Sequence, residues 1–91
     1  MKIFKYPLEI TDKQSILLPP GSSILSTKEQ NGSLCVWALV DETQPSQDEW
    51  QFYIIGTGNP YTIPNYANYL DTVVMPYGLV WHVFYLFGVE E

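Results

Sequence analysis

The residues that offer the clearest chemistry lie in a short glycine-rich stretch after an apolar segment. Gly56-Thr57-Gly58-Asn59 follows Trp50–Ile55, which is rich in aromatic and β-branched residues. A strand that runs into a glycine-punctuated turn brings several backbone N–H groups to one point, where they can hold an anion. The same glycines are typical of a tight turn that needs a positive φ, and this is the interpretation that their pattern favours. The third glycine, the lysine and the following helix of dinucleotide and P-loop fingerprints are missing, so neither is predicted.

Aromatic residues near this stretch add stacking surface for a planar ligand. Thr57 contributes a hydroxyl and Asn59 an amide, and an aromatic ring contributes about 1–3 kcal/mol for each stacked base. The combination predicts a ligand-binding set around the glycine turn. Its members are Trp50, Gly56, Thr57, Gly58, Asn59, Tyr61 and Tyr66.

Side chains that usually carry catalysis or bind metals are scarce. His82 is the only histidine, Cys35 is the only cysteine, and all four basic residues are lysines. Cys35 lies in an apolar run and is predicted to be a buried small hydrophobe, and His82 is predicted to be a structural histidine on a strand face. The carboxylates are spread over loops without the spacing of metal ligands. We therefore predict a non-enzymatic protein with no catalytic residue, no metal and no cofactor.

Net charge and hydropathy restrict the partners. The chain has a formal charge of −6, and nucleic-acid binding needs clustered cations, so no nucleic-acid partner is expected. The acidity suits association with a basic protein surface, and it suits plain solubility equally well. No apolar run reaches transmembrane length, and the N-terminal stretch has no signal-peptide core, so we expect no membrane contact and a cytoplasmic protein.

Alternating and apolar runs, separated by turn residues, predict seven strands. They are Lys2–Ile10, Gln14–Leu18, Ile24–Gln30, Leu34–Asp41, Trp50–Ile55, Tyr69–Met75 and Leu79–Phe87. Asn31-Gly32 predicts a two-residue hairpin, and Pro7 predicts an edge strand or a bulge. Leu34–Asp41 is predicted to be a central strand, with Trp50–Ile55 as its hairpin neighbour. A short helical turn is expected between residues 60 and 68.

These elements predict an all-β fold, a single antiparallel β-sandwich or barrel that covers residues 1–91. The long irregular stretch from Gly56 to Asn68 is either functional or a cover over an open end of the sheet. Leu79–Phe87 is apolar on both faces, which is more apolar surface than a 91-residue domain covers by itself. Closed two-fold association would bury the excess, so we predict a homodimer.

Several segments resemble a family of small proteins that are encoded mainly by bacteriophages and prophages. The segments are Lys2–Tyr6 with Leu8–Asp12, Ile24–Ser26, Gln30–Gly32 with Trp37–Asp41, Ile55–Gly58 and Leu79–Phe84. Members of that family usually carry His where Asn59 stands and end soon after the last segment, and this sequence departs at both places. No established catalytic residues accompany the family, so the resemblance transfers no site.

The resemblance implies a phage product that acts in the host cytoplasm against antiviral defence. Such a protein can bind and sequester a nucleotide-derived immune signal, and this is the function that we expect. The alternative is a protein inhibitor that directly binds and blocks a host defence protein. The expected partner is therefore a small nucleotide-type ligand or a host defence protein.

Overall fold

The computed structural model describes residues 1–45, 47–60 and 62–88, and all regular structure in them is β-strand. The strands are β1 (Lys2–Leu8), β2 (Lys13–Leu18), β3 (Ser23–Gln30), β4 (Ser33–Val40), β5 (Asp48–Gly56), β6 (Asn68–Val74) and β7 (Val80–Phe87). The seven predicted strands are all present, which confirms the all-β fold. Within the described part of 60–68 the chain forms a β-turn, in which the Ala67 N–H donates to the Pro64 carbonyl at 3.0 Å, and no helix. No helix in the described chain is long and apolar enough to cross a membrane.

The strands form two antiparallel sheets that enclose one core. Sheet A has the order β1-β4-β3, and sheet B has the order β2-β5-β7-β6. Even-numbered residues of β4 and β5 point inward, because successive side chains of a strand alternate between its two faces. The buried core cluster is Leu8, Leu18, Leu34, Val36, Ala38, Val40, Trp50, Phe52, Ile54, Val73, Met75 and Val83. The architecture is therefore a small β-sandwich.

The predicted hairpin between β4 and β5 is wrong. β4 pairs with β1 and β3, whereas β5 pairs with β2 and β7, so the two strands are interior strands of different sheets. Each is apolar on its inward face, and placing both at the centre of opposed sheets buries those faces against each other. The connection after Val40 begins with a turn in which the Asp41 carboxylate accepts bonds from the Thr43 hydroxyl at 2.6 Å and from the Gln44 amide at 3.3 Å. These donors hold the pKa of the Asp41 carboxyl below its ordinary value.

The turn and edge signals of the sequence are confirmed. Asn31 and Gly32 have φ values of 53° and 85°, as a type I′ hairpin between β3 and β4 requires. Pro7 lies in β1, an edge strand of sheet A. At an edge, every second N–H points away from the neighbouring strand, so a proline there need not interrupt the ladder.

The chain passes over the outer face of sheet B between β5 and β6. Both strands run antiparallel to β7, which lies between them, so they are parallel to each other. Their connection, the β5–β6 crossover (residues 57–67, described at 57–60 and 62–67), must run back along β7. Because the core fills the inner face, the crossover uses the outer face. There Tyr53 and Ile55 are only 2% and 8% exposed, although they point away from the core.

Candidate functional site

The glycine stretch forms a tight turn at the end of β5. The Asn59 N–H donates to the Gly56 carbonyl at 3.0 Å, and Gly58 has a φ of 86°, which an L side chain rarely adopts. The Thr57 N–H donates to the Val80 carbonyl at 3.3 Å. Two of the N–H groups that the sequence offered to an anion are thus bonded to carbonyls. The turn interpretation explains these glycines better than an anion-binding nest does.

Position 56 requires glycine because a side chain there would meet neighbouring atoms, not because of its backbone conformation. A Cβ atom at this position would lie 2.7 Å from Asn59 Nδ2 and 3.2 Å from Trp81 Cζ3. The Asn59 amide and the Trp81 ring therefore pack directly on the Gly56 backbone. This contact fixes the Asn59 side chain against the end of β5.

His82 joins three elements through hydrogen bonds on the outer face of sheet B. Its Nε2 lies 2.7 Å from the Thr57 hydroxyl of the crossover, and its Nδ1 lies 3.0 Å from the Thr72 hydroxyl of β6. The Thr72 hydroxyl also lies 2.6 Å from the Tyr69 hydroxyl. Each hydroxyl can donate or accept, so the network is satisfied with either tautomer of the imidazole. We call Thr57, His82, Thr72 and Tyr69 the His82 network.

A β-bulge in β6 makes this network possible. Tyr69 pairs with Phe84 and Thr72 pairs with His82, with a register shift between Tyr69 and Asp71. In a regular strand, residues three apart point to opposite faces, whereas one inserted residue puts them on the same face. The bulge therefore places the Tyr69 and Thr72 side chains together on the outer face of sheet B, where His82 lies.

Two cavities lie on either side of the glycine turn. The first, the outer cavity, has a volume of about 260 Å³ and is lined by Ile55, Gly56, Thr57, Gly58, Asn59, His82 and Phe84. Its floor is the outer face of β5 and β7, and its wall is the glycine turn. The second, the end cavity, has a volume of about 290 Å³ and is lined by Gly56, Thr57, Asn59, Gly78, Leu79, Val80 and Trp81. It lies between the glycine turn and the β6–β7 hairpin.

The β6–β7 hairpin carries large apolar side chains into solvent beside the end cavity. Tyr77 is 92% exposed, Val74 67% and Leu79 57%. The Gly78 N–H donates to the Met75 carbonyl at 3.0 Å and the Met75 N–H to the Leu79 carbonyl at 2.7 Å, so hydrogen bonds hold the tip in a defined shape. We call Val74, Tyr77, Leu79 and the glycine turn the turn–hairpin surface.

The structure brings together four of the seven residues of the predicted ligand set. Gly56, Thr57, Gly58 and Asn59 form the turn and line the cavities. Trp50 lies at the other end of β5, inside the core, with its ring 4.9 Å from the Phe87 ring, so it does not meet the turn. The remaining members are Tyr66, which is 61% exposed in the crossover and lines neither cavity, and Tyr61, which lies outside the described residues.

Sequence reasoning missed the residues that the crossover brings to the turn. His82, Phe84 and Trp81 line the cavities, and none of them belongs to the predicted ligand set. The shared strand face of His82 and Phe84 was readable from their spacing. His82 lies opposite Ile55 and Phe84 opposite Tyr53, and both positions depend on the register of β5 with β7, which no local pattern in either segment specifies.

The charges around the site do not favour a phosphate. Among the described residues, the linings of the outer cavity and the end cavity include no lysine. Nor do the described residues contain a group of three or more His, Cys, Asp or Glu side chains that could hold a metal ion. The site can supply hydroxyl, amide and imidazole hydrogen bonds next to aromatic rings.

The fold and the site thus define the class of protein. It is an antiparallel β-sandwich in which one sheet has a covered outer face and a glycine turn lies between two cavities. The chain belongs to a family of unknown function, DUF7352, whose family model matches residues 1–90. No curated protein and no solved structure matches the chain.

Proposed function

We propose that the protein works by binding and blocking another protein through the turn–hairpin surface. The observation that carries this proposal is the exposure of Tyr77, Leu79 and Val74 beside the end cavity. Protein interfaces use aromatic and aliphatic anchors next to concave surface, and a few such anchors contribute most of the binding energy. The resemblance to phage-encoded proteins supports a host defence protein as the target and the host cytoplasm as the place of action.

The charge of the chain supports a basic partner. A net charge of −6 accelerates encounter with a positively charged surface, and the acceleration decreases as salt screens the charges. The tip of the β6–β7 hairpin, residues 75–79, has no charged side chain. Apolar contacts at the hairpin tip would therefore provide the affinity. The electrostatic field of the whole negatively charged chain would increase the association rate.

The His82 network supports binding rather than catalysis. Thr57 and His82 have the spacing of a nucleophile and its base, but Nδ1 of His82 contacts the Thr72 hydroxyl instead of a carboxylate. A carboxylate at that position is what stabilises the imidazolium that forms when a histidine takes a proton from a nucleophile. The network fastens the crossover to β6 and β7 without that feature, so we expect no turnover.

Sequestration of a nucleotide-derived signal is the second candidate, and the outer cavity is what favours it. Thr57, Asn59 and His82 offer hydrogen bonds there, and Phe84 offers an aromatic ring. The cavity is slightly smaller than the roughly 300–1,000 Å³ of common ligand pockets. The described lining has no lysine to neutralise the phosphates of such a signal, and the Thr57 and Asn59 N–H groups of the turn already donate to carbonyls, so we rank this candidate below protein binding.

A pair of serine substitutions tests the first candidate. Tagged wild type, Leu79→Ser and Ile3→Ser would be used to capture a partner from host lysate, and the affinity for the stoichiometric partner would then be measured. Ile3 is 59% exposed on the outer face of sheet A, so it matches Leu79, at 57%, in exposure and character. We expect at least a tenfold loss of affinity for Leu79→Ser and less than a twofold change for Ile3→Ser. Equal effects of the two changes would contradict the turn–hairpin surface.

Calorimetry decides between the two candidates. ADP-ribose and cyclic dinucleotides would be titrated into the wild type, into Asn59→Ala, and into Asn65→Ala as the control from the same crossover. Binding that is lost only in Asn59→Ala, together with no protein partner, would establish the second candidate and reject the first. If no titration gave a heat of binding, the second candidate function would be rejected.

A further inference from the structure

The four edge strands of the sandwich differ in how they are protected against pairing. β1 carries Pro7, β3 has a register shift at Leu25, and β6 has one at Leu70. Prolines and bulges are common ways of preventing a sheet edge from adding a further strand. β2 has neither, and its register with β5 runs unbroken from Lys13 opposite Tyr53 to Leu18 opposite Asp48.

The hydrogen bonds around β5 show which backbone groups of β2 point outward. The Gly88 N–H donates to the Glu49 carbonyl at 2.9 Å, so the odd-numbered residues of β5 face β7. The even-numbered residues of β5 therefore face β2, where they pair with Gln14, Ile16 and Leu18. The N–H and C=O groups of Ser15 and Leu17 consequently point away from the sheet, and no described residue bonds to them.

We propose that β2 pairs with β2 of a second copy of this chain, antiparallel and around a two-fold axis at Ile16. The outward N–H and C=O groups of Ser15 and Leu17 find partners only if odd-numbered residues of the two copies pair with each other. A two-fold axis at Ile16 gives such a pairing, because it places Ser15 opposite Leu17 of the second copy. The two symmetry-related pairs make two hydrogen bonds each, as in any antiparallel ladder. The two four-stranded sheets become one continuous sheet across the dimer.

The side chains and charges of β2 fit a second copy. Leu17 is 59% exposed and would be covered beside Ser15 of the other copy, and the two Ile16 side chains would be directly opposed across the axis. The two Lys13 residues would stand six residues apart along the pair, about 20 Å at roughly 3.3 Å per residue, beyond the screening length of about 8 Å. The strand is therefore compatible with itself in this register.

The dimer goes beyond the proposed function and does not depend on it. β2 and β6 are opposite edges of sheet B, so the turn–hairpin surface stays open in both copies. A failure of partner capture would leave the dimer untouched, and a monomeric protein would leave the turn–hairpin surface untouched.

A proline at position 17 tests the interface through the backbone. Leu17→Pro removes an outward N–H and leaves the ladder with β5 intact, which is where an edge strand tolerates proline. Leu17→Ala is the matched control, because it shortens the same side chain and keeps the N–H. By light scattering over a concentration series we expect the wild type and Leu17→Ala at twice 10.5 kDa, and Leu17→Pro at 10.5 kDa with an unchanged circular dichroism spectrum.

Hydrogen exchange provides a second measurement on the unaltered chain. The amide protons of Ser15 and Leu17 should exchange slowly at high concentration and lose their protection on dilution, whereas the Ile16 amide should stay protected. This test holds even if Leu17→Pro fails to fold. A wild type that stays at 10.5 kDa at every concentration, or a dimer whose Leu17 amide exchanges freely, would overturn the proposal.

Discussion

The outer faces of the two sheets are covered in different ways. On sheet A, the Lys5 ammonium donates to the Gln30 side-chain carbonyl at 2.6 Å, so two polar side chains bridge over β4 above Cys35. On sheet B, the β5–β6 crossover lies over β5 and β7. Each arrangement lies over a buried outward residue of an interior strand: Cys35 is 3% exposed in β4 and Tyr53 is 2% exposed in β5.

The two covers have different consequences for function. Side chains that lie flat on a sheet follow its surface and leave no enclosed space between the strands and the cover. A segment of backbone brings carbonyls, hydroxyls and turns that must be satisfied, and it stands off the sheet by the size of its own side chains. The outer cavity and the His82 network exist because sheet B is covered by chain. We infer that function concentrates there because loops on a rigid sheet supply positioned polar groups.

Truncation of the buried residue on the outer face of each sheet should give the largest difference in stability between the two covers. Tyr53→Ala removes a large side chain from beneath the crossover, and we expect the free energy of unfolding to decrease by about 3 kcal/mol. Cys35→Ala removes a single sulfur atom beneath the Lys5–Gln30 bridge and should cost about 1 kcal/mol or less. Urea unfolding of both variants gives the comparison. Similar losses would show that the crossover contributes no more burial than the side-chain bridge.

Filling the space above Gly56 should have a smaller effect that is confined to sheet B. Gly56→Ala places a methyl group against Asn59 and Trp81, and overpacking of this kind costs about 1–3 kcal/mol. If the Asn59 amide is the main obstacle, the double variant with Asn59→Ala should recover about 1 kcal/mol. Thermal unfolding of the two single variants and the double variant measures this coupling. Additive losses would mean that the Trp81 ring, and not the amide, sets the limit.

Loss of one hydrogen bond from the His82 network should have the smallest effect. Thr57→Val keeps the shape of the side chain and should cost about 1 kcal/mol, because one bond of a half-buried imidazole is lost. On sheet A, Lys5→Met removes the bridge to Gln30 and should change stability by about 0.5 kcal/mol or less. A double-mutant cycle of Thr57→Val with Thr72→Val reports whether the two bonds act together. If Lys5→Met lowered the stability as much as Thr57→Val does, the two covers would not differ in how much their hydrogen bonds contribute.

The strands were predictable because their signals are local. Alternation in β1, the Asn31-Gly32 turn and the apolar run of β4 each report on a few neighbouring residues, and the structure has strands within two residues of every predicted bound. The pairing of β5 was not predictable in the same way. β4 and β5 are both rich in apolar residues, and such a pattern fits a hairpin neighbour as well as an opposed strand in another sheet. The choice depends on strands distant in sequence, β2 and β7.

The candidate site also has one part that local sequence signals predict and another part that depends on contacts between distant segments. Gly56 to Asn59 could be recognised because glycine and asparagine mark a turn wherever they stand. Trp50 is only six residues from Gly56 in the sequence, but β5 is extended, so at about 3.3 Å per residue the two are roughly 20 Å apart. His82 and Thr72 could not be assigned to the site, because their contact needs both the register of β6 with β7 and the bulge at Leu70.

By itself the sequence determined the seven strands, their turns, the edge character of β1 and the position of the glycine turn, since each depends on the conformational preferences of adjacent residues. The tertiary structure alone decided which strands share a sheet, which face the crossover covers and which side chains meet His82. Those outcomes follow from competition among many apolar faces for one small core, and no single segment contains that information.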